Sequence, residues 1–186
     1  VLLSGGVDSS VALRLAMEDY GYKPRCFYLK IWLEDELAHL NQCPWEEDWA
    51  YATAVAKQAG VPLEAVSMQK EYWSEVVAST IAEADKGRTP NPDILCNSRI
   101  KFGVFHDSIG QHFQRVITGH YARAVHLAEG VDRMESGHQD KTMDTNPKVR
   151  LVRSPDRVKD QTYFLSALSQ KQLKHAVFPV GEFAKH

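Results

Sequence analysis

Seven residues near the start of the chain, Ser4-Gly5-Gly6-Val7-Asp8-Ser9-Ser10, constrain the fold more than any other feature. They follow the apolar run Val1-Leu2-Leu3 and lead into Ser9 to Tyr20, where Val11, Leu15 and the neighbouring Ala12 and Ala16 recur at helical spacing. That order predicts a buried strand, a glycine turn and a helix. Glycines let the backbone come close to a ligand, and free amides at a helix N-terminus attract an anion, so the turn reads as a phosphate cradle. In the plainer reading Asp8 is simply the N-cap of the helix. A bare strand-turn-helix junction, however, seldom needs two glycines, a carboxylate and paired hydroxyls together. The absence of a following Gly-Lys-Ser/Thr excludes a Walker A loop, and the absence of a third glycine excludes the dinucleotide fingerprint.

The same alternation continues along the chain. Gly21 and Pro24 end the first helix, and Arg25 to Trp32 is a strand, with Phe27, Leu29 and Ile31 alternating against Tyr28, Lys30 and Trp32. Glu46 to Gly60 is helical in pattern, Val61 to Met68 a third strand, and about Tyr72 to Asp85 a further helix. Gly87 to Pro92 is too rich in proline and glycine to be regular, Arg99 to Phe113 returns to helix, and Arg115 to Thr118 is a compact strand running into Gly119-His120. Glu129 to Lys148 is polar and aperiodic and reads as a surface insertion or disordered loop. Val149 to Arg153 is a short strand and Gln161 to Lys174 a pair of short helices. Strands and helices in strict alternation predict an α/β fold, a parallel sheet with helices on both faces, whose ligands bind at the carboxyl ends of the strands.

Composition sets the outer bounds. A chain of 186 residues, 44% hydrophobic, can bury one ordinary core. Its formal charge of −2, from 22 basic and 24 acidic residues, would not draw the whole chain onto a polyanion, so any RNA contact needs a local patch. No apolar run is long enough to span a bilayer, and the chain reads as soluble, with both ends expected to be cut from something longer. Cys26, Cys43 and Cys96 have no metal-ligand spacing and suggest free thiols in a reducing compartment.

Thr89-Pro90-Asn91-Pro92-Asp93-Ile94-Leu95-Cys96-Asn97 is the second informative segment. Two prolines stiffen it. Cys96 is expected just before a helix capped by Asn97 or Ser98, where the helix dipole would lower its pKa and favour thiolate. Asp93, three residues away, could handle a proton. A cysteine in general is more often a small buried hydrophobe, and Cys26 is read that way, within its strand. Cys43 is ambiguous.

The Ser4 to Ser10 turn resembles the SGGxDS signature of the PP-loop ATP pyrophosphatases. Taken with Gly87 to Asn97 and with Lys159-Asp160-Gln161-Thr162-Tyr163-Phe164-Leu165, the chain resembles the MnmA family of tRNA-specific 2-thiouridylases, over nearly its whole length except Glu129 to Lys148. The resemblance implies a PP-loop, adenine nucleotide α-hydrolase-like domain over 1–128, the polar insertion over 129–148, and, over 149–186, the end of that domain and the start of a small second, helical region. It implies that Ser4, Gly5, Gly6, Val7, Asp8, Ser9 and Ser10 bind ATP phosphates, with Mg2+ as the accompanying ion, and that Leu29 and Gly119 line the adenine and ribose site. Asn91, Pro92 and Asp93 would meet the target uracil, with Asp93 as acid-base group and Cys96 as a catalytic cysteine. Lys159, Asp160 and Gln161 would contact tRNA. The implied reaction adenylates C2 of the wobble uridine and replaces its oxygen with sulfur from a persulfide on a second cysteine, supplied by a cysteine desulfurase or relay protein, with Cys96 closing a disulfide. No cysteine follows Cys96, so that partner is expected beyond His186, with Cys43 as a less favoured substitute. The family's setting is bacterial cytoplasm, or mitochondrion or plastid in eukaryotes.

Other readings stay open. A PP-loop synthetase or amidotransferase adenylating a small metabolite would share the glycine turn but has no need of the Pro-Asn-Pro-Asp and Cys96 segment, and a non-catalytic ATP- or RNA-binding module needs neither. Lys148, Arg150, Arg153, Arg157 and Lys159 could track a phosphate backbone or form the wet face of an edge strand. Trp32, Trp45, Trp49 and Trp73 fit packing better than base stacking. His120 has no metal-like partner in sequence.

Overall fold

A computed structural model of the chain describes residues 1–31, 44–127 and 148–185. Trp32, Cys43 and the insertion from Glu129 lie outside the described residues, Lys148 excepted.

Five extended segments form the central layer. β1 (Cys26–Lys30) pairs in parallel with β2 (Leu63–Ser67), Cys26 opposite Leu63 and Lys30 opposite Ser67. β3 (Val116–Ile117) pairs in parallel with β6 (Ala176–Val177). Residues 1–3 join the two pairs: Leu3 N–H donates to the Phe27 carbonyl and Phe27 N–H to that of Val1, at 2.9 and 2.8 Å, while Leu2 N–H donates to Ile117 O at 2.9 Å. The order across the layer is therefore β2, β1, 1–3, β3, β6. Beside it, β4 (Ala122–His126) and β5 (Val149–Arg153) form an antiparallel ribbon.

Period-2 alternation divides these strands between two cores. Leu2, Phe27, Val116 and Ala176 face one side, where they meet Val76, Ile100, Phe102 and Phe105. Val1, Leu3, Cys26, Tyr28 and Ile117 face the other, against Leu13, Ala16, Ala52 and Ala56. The second side is covered by α1 (Val7–Glu18) and α2 (Pro44–Ala59). The first is covered by α3, residues 69–85 in three contiguous stretches (Gln69–Tyr72, Trp73–Val77, Ala78–Asp85), and by α4, residues 92–108 (Pro92–Leu95, Cys96–Val104, Phe105–Ser108). Trp73–Val77 and Cys96–Val104 are π-helical, with the wider i→i+5 turn. The expected α/β architecture, a parallel sheet with helices on both faces, is what the chain forms.

Several details differ from expectation. α1 begins at Val7 with Gly6 as its N-cap, so Asp8 lies inside the first turn and is not the cap. α4 begins much earlier than Arg99, at Pro92, because the Asn91 side chain accepts from Asp93 N–H at 3.0 Å and Ile94 N–H at 3.4 Å and the fixed φ of Pro92 suits a first helical position. β4 and β6 had no readable pattern: β6 is two residues long, and Ala122–His126 mixes apolar and basic residues. The two short helices after residue 160 appear as a 3₁₀ turn, Thr162–Leu165, and α5 (Gln170–His175), which opens on a capping box between Ser169 and Gln172. Leu165, Leu168, Leu173 and Phe178 pack into the same core as α4.

One close approach tests this packing. Gly181 lies so near Ala122 that a Cβ there would overlap the Ala122 carbonyl oxygen. Gly181→Ala is expected to lower stability by about 2–3 kcal/mol, as overpacking at a rigid backbone contact does, read from the midpoint of urea unfolding; Ala122, already minimal in side chain, offers no compensating space.

Candidate nucleotide-binding and thiol site

The carboxyl ends of 1–3, β1 and β3 open onto one cleft of ≈ 340 Å³. Each contributes the residue that ends it: Ser4 after 1–3, Leu29 near the end of β1, Gly119 after β3. The cradle is built by backbone geometry and a knot of hydroxyls. Gly5 is in the left-handed region, φ 84°, and the Asp48 carbonyl oxygen sits where its side chain would be, so two independent constraints require glycine. Ser4 N–H donates to Ser9 Oγ at 3.2 Å, and Ser9 and Ser10 hydroxyls both donate to the Gly6 carbonyl at 2.9 Å. Those bonds pull the loop tightly over the start of α1, where the first amides have no intrahelical acceptor and face the positive end of the helix dipole. Gly119 closes the cradle from the other side; a Cβ on it would stand 2.6 Å from both Asp8 C and Ser9 N.

Asp8 itself is engaged on the rim, accepting from Lys185 Nζ at 2.6 Å and from the Tyr121 hydroxyl at 3.4 Å. Val7 is exposed and Ser10 half-buried.

The thiol lies in the same wall. Cys96 lines the cleft together with Ile100, Lys101, His120 and Gln161, and a smaller adjoining recess adds Asp93, Asn97 and Phe164. Its surroundings correct the expected activation. With Asn91 as the cap, Cys96 is the fifth residue of α4 rather than the residue before a helix, beyond the first turn over which the dipole acts. The residue is 7% exposed. Burial pushes its pKa up, Lys101 opposes that, and Asp93 adds to it. Cys26, by contrast, is fully buried within β1.

Asn91 and Pro92 sit at the start of α4, with Asn91 Oδ1 committed to capping and Asp93 exposed one turn before the thiol. Lys159, Asp160 and Gln161 have different surroundings. Lys159 is exposed. Asp160 is an internal tie: its carboxylate accepts from Arg153 Nε at 2.7 Å, Thr162 Oγ1 at 2.6 Å, Thr162 N–H at 3.2 Å and Ser154 N–H at 3.3 Å. Desolvation opposes ionisation, but these donors outweigh it and bring the pKa to about 2. Gln161 joins the loop after β3 by a reciprocal pair, Tyr121 N–H to Gln161 Oε1 at 3.0 Å and Gln161 N–H to Tyr121 O at 2.8 Å.

Three residues in or beside the cleft carry no signal in the sequence. Asp48 reaches the cleft from α2, and Lys185 reaches Asp8 across 177 residues. Lys101 lies five residues after Cys96, which on an ordinary helix would put it on another side. His120, which has no metal-like partner in sequence, bonds Thr118 Oγ1 through Nδ1 at 2.7 Å. Burial, and then Lys101, lower its pKa to about 3, so it stays a neutral imidazole in the cleft. Trp45 and Trp49 pack against the α1 side of the sheet, in line with a structural role. Of the basic run, Arg153 is engaged by Asp160.

A parallel sheet bearing a tight glycine loop and a helix start at its carboxyl edge defines an α/β nucleotide-binding domain of the HUP, PP-loop kind. The chain belongs to the tRNA methyl transferase HUP domain family, whose model matches residues 1–186. It is 41% identical over 184 residues to a tRNA-specific 2-thiouridylase MnmA of Porphyromonas gingivalis, covering 99% of this chain and 45% of that protein. It is 40% identical over 185 residues to MnmA 2 of Bacteroides fragilis, covering 100% and 46%, and 38% identical over 184 residues to MnmA of Parabacteroides distasonis, covering 99% and 46%. The chain thus spans less than half the length of these curated relatives.

Asp160 supplies a pH test. Its folded pKa of about 2 lies below the ordinary 3.8, so its bonds contribute stability that is present in full above the ordinary value and lost as pH falls through about 2. Asp160→Asn should be less stable at neutral pH and flatten the fall in stability between about pH 4 and pH 2, measured by urea unfolding across that range.

Proposed function

We propose that the chain is the ATP-using, thiol-bearing part of an enzyme that replaces the C2 oxygen of the wobble uridine of tRNA with sulfur. The observation that carries this reading is the presence of Cys96 in the wall of the same cleft as the glycine loop. An adenylating domain acting on a small metabolite with ammonia has no use for a cysteine there, and the names of the relatives speak of tRNA thiolation.

In this reading Ser4 to Ser10 hold the pyrophosphate of ATP through loop amides and hydroxyls, while Leu29 and Gly119 line the adenine and ribose. Among the described residues no three His, Cys, Asp or Glu side chains cluster as a metal cage. Mg2+ would travel with the triphosphate, which suits an ion that keeps its waters and needs only one or two carboxylates. Among the described residues, Asp8 and Asp48 are the carboxylates that line the cleft.

Adenylation turns the uracil C2 oxygen into part of a good leaving group. The terminal sulfur of a persulfide attacks C2 and AMP departs; the Cys96 thiolate then attacks the other persulfide sulfur, closing a disulfide and leaving sulfur on C2. The oxidised pair is restored by a thiol reductant. Asp93, exposed beside the thiol, would manage the proton, with Asn91 and Pro92 shaping the uracil seat. Cys26 is buried in its strand, so the persulfide cysteine is a different one, loaded by a sulfur-donor protein. Lys159 is free in position to meet the tRNA backbone, whereas Asp160 and Gln161 hold the shape of its loop.

ATP–pyrophosphate exchange by the full-length protein, with and without unmodified tRNA carrying a wobble uridine, tests the reading. Exchange should depend on that uridine. Cys96→Ser should keep exchange within about twofold while sulfur transfer falls by at least about 10³-fold, as loss of a covalent participant does. Exchange indifferent to tRNA but driven by a small metabolite would overturn the proposal in favour of a synthetase.

A further inference from the structure

A wide helical turn sets a lysine on the same side as the thiol. On an α-helix, residues five apart point about 140° away from each other. Cys96–Val104 is π-helical, so Cys96 and Lys101 are close to one whole turn apart. Both line the main cleft and the recess beside it.

Two further contacts fix this arrangement. Lys101 Nζ donates to Asn97 Oδ1 at 3.0 Å, and Asn97, 3% exposed, is anchored in turn by donating to the Phe164 carbonyl at 3.0 Å. The wide turn is braced from α5: Gln172 Nε2 donates to the carbonyls of Ser98 at 2.8 Å and Phe102 at 3.0 Å, while its Oε1 accepts from Ser169 N–H at 2.8 Å. A side chain from 70 residues away in sequence thus satisfies carbonyls on the turn that aims the lysine.

Among the described residues, the titratable groups around the thiol are Asp93 and Lys101 on its own helix, Tyr72 from α3 and His120 from the loop after β3. Lys101 is the one ammonium among them. Burial and Asp93 both work against a sulfur anion at Cys96, and Lys101 works for it.

We propose that Lys101 is a positioning residue for the sulfur chemistry: fixed by Asn97 and turned into the cleft by the π-helical stretch that Gln172 braces, it is the counter-ion that favours the thiolate of Cys96 against its burial. The use of that thiolate rests on the thiolation reading above; the thiolate itself does not, and it can be measured without ATP or tRNA.

The test follows alkylation of Cys96 by iodoacetamide against pH in the full-length protein, with peptide mass spectrometry isolating this cysteine from the others. Below the thiol pKa the rate tracks the thiolate fraction, so loss of one nearby charge should slow it by about tenfold near neutral pH. Lys101→Met should show that loss and a midpoint moved to higher pH, Lys101→Arg should restore the wild-type profile, and Gln172→Leu should move it in the same direction as Lys101→Met. An unchanged profile in a Lys101→Met protein of normal circular dichroism would overturn the proposal, as would an Arg variant that behaves like Met. ATP–pyrophosphate exchange in the same variants separates the two ideas: tRNA-dependent exchange with an unmoved thiol profile sinks only the role of Lys101, whereas a moved profile without tRNA-dependent exchange sinks only the thiolation reading.

Discussion

Residues 1–3 are hydrogen-bonded on both edges, to Phe27 and to Ile117, and the site exists because that short segment lies in the middle of the sheet. Its central place brings the end of 1–3 level with the ends of β1 and β3, so Ser4, Leu29 and Gly119 open on one cleft although they are distant in sequence. Alternation along the same three residues sends Leu2 to one core and Val1 and Leu3 to the other. The glycine loop is thereby anchored to both hydrophobic layers at once, and its conformation is held from below by packing as well as by its own hydroxyl bonds.

The architecture was legible in the sequence where periodicity was long enough to see. The glycine turn, β1, α2 and β2 follow from spacing and from glycine and proline punctuation. β6 is too short to carry a pattern, and β4 gains its place from pairing with β5 and from the approach of Gly181, neither of which is local information. The chemistry around Cys96 was harder to read. Asn91 lies between two prolines, which advertises a rigid loop and conceals a helix cap. With the cap at Asn91 rather than at Asn97 or Ser98, the thiol passes from a helix entrance to a helix interior, and burial replaces the dipole as the dominant influence on it. Lys101 was invisible for a related reason, since a five-residue spacing means proximity only where the helix is π.

Polar groups around this site are committed to holding the fold. Asn91 spends its side-chain oxygen on capping α4; Asp160, within a motif that reads as a tRNA contact, spends its oxygens on Arg153, Ser154 and Thr162. Buried polar groups must be satisfied, so a motif residue can owe its identity to holding a loop rather than to touching a ligand. Lys159 and Asp160 illustrate the division: the exposed lysine offers charge outward, and the aspartate beside it ties the loop together through the amides of Ser154 and Thr162.

The reciprocal bonds between Tyr121 and Gln161 have a mechanical meaning. They rivet the outer loop to the strand exit whose Gly119 rests directly on the first turn of α1. Force applied at Lys159 reaches the floor of the phosphate cradle through two hydrogen bonds, one between backbones and one through the Gln161 side chain, and one van der Waals contact. The outer loop and the cradle are two arms of one stiff lever, with the end of β3 as its pivot.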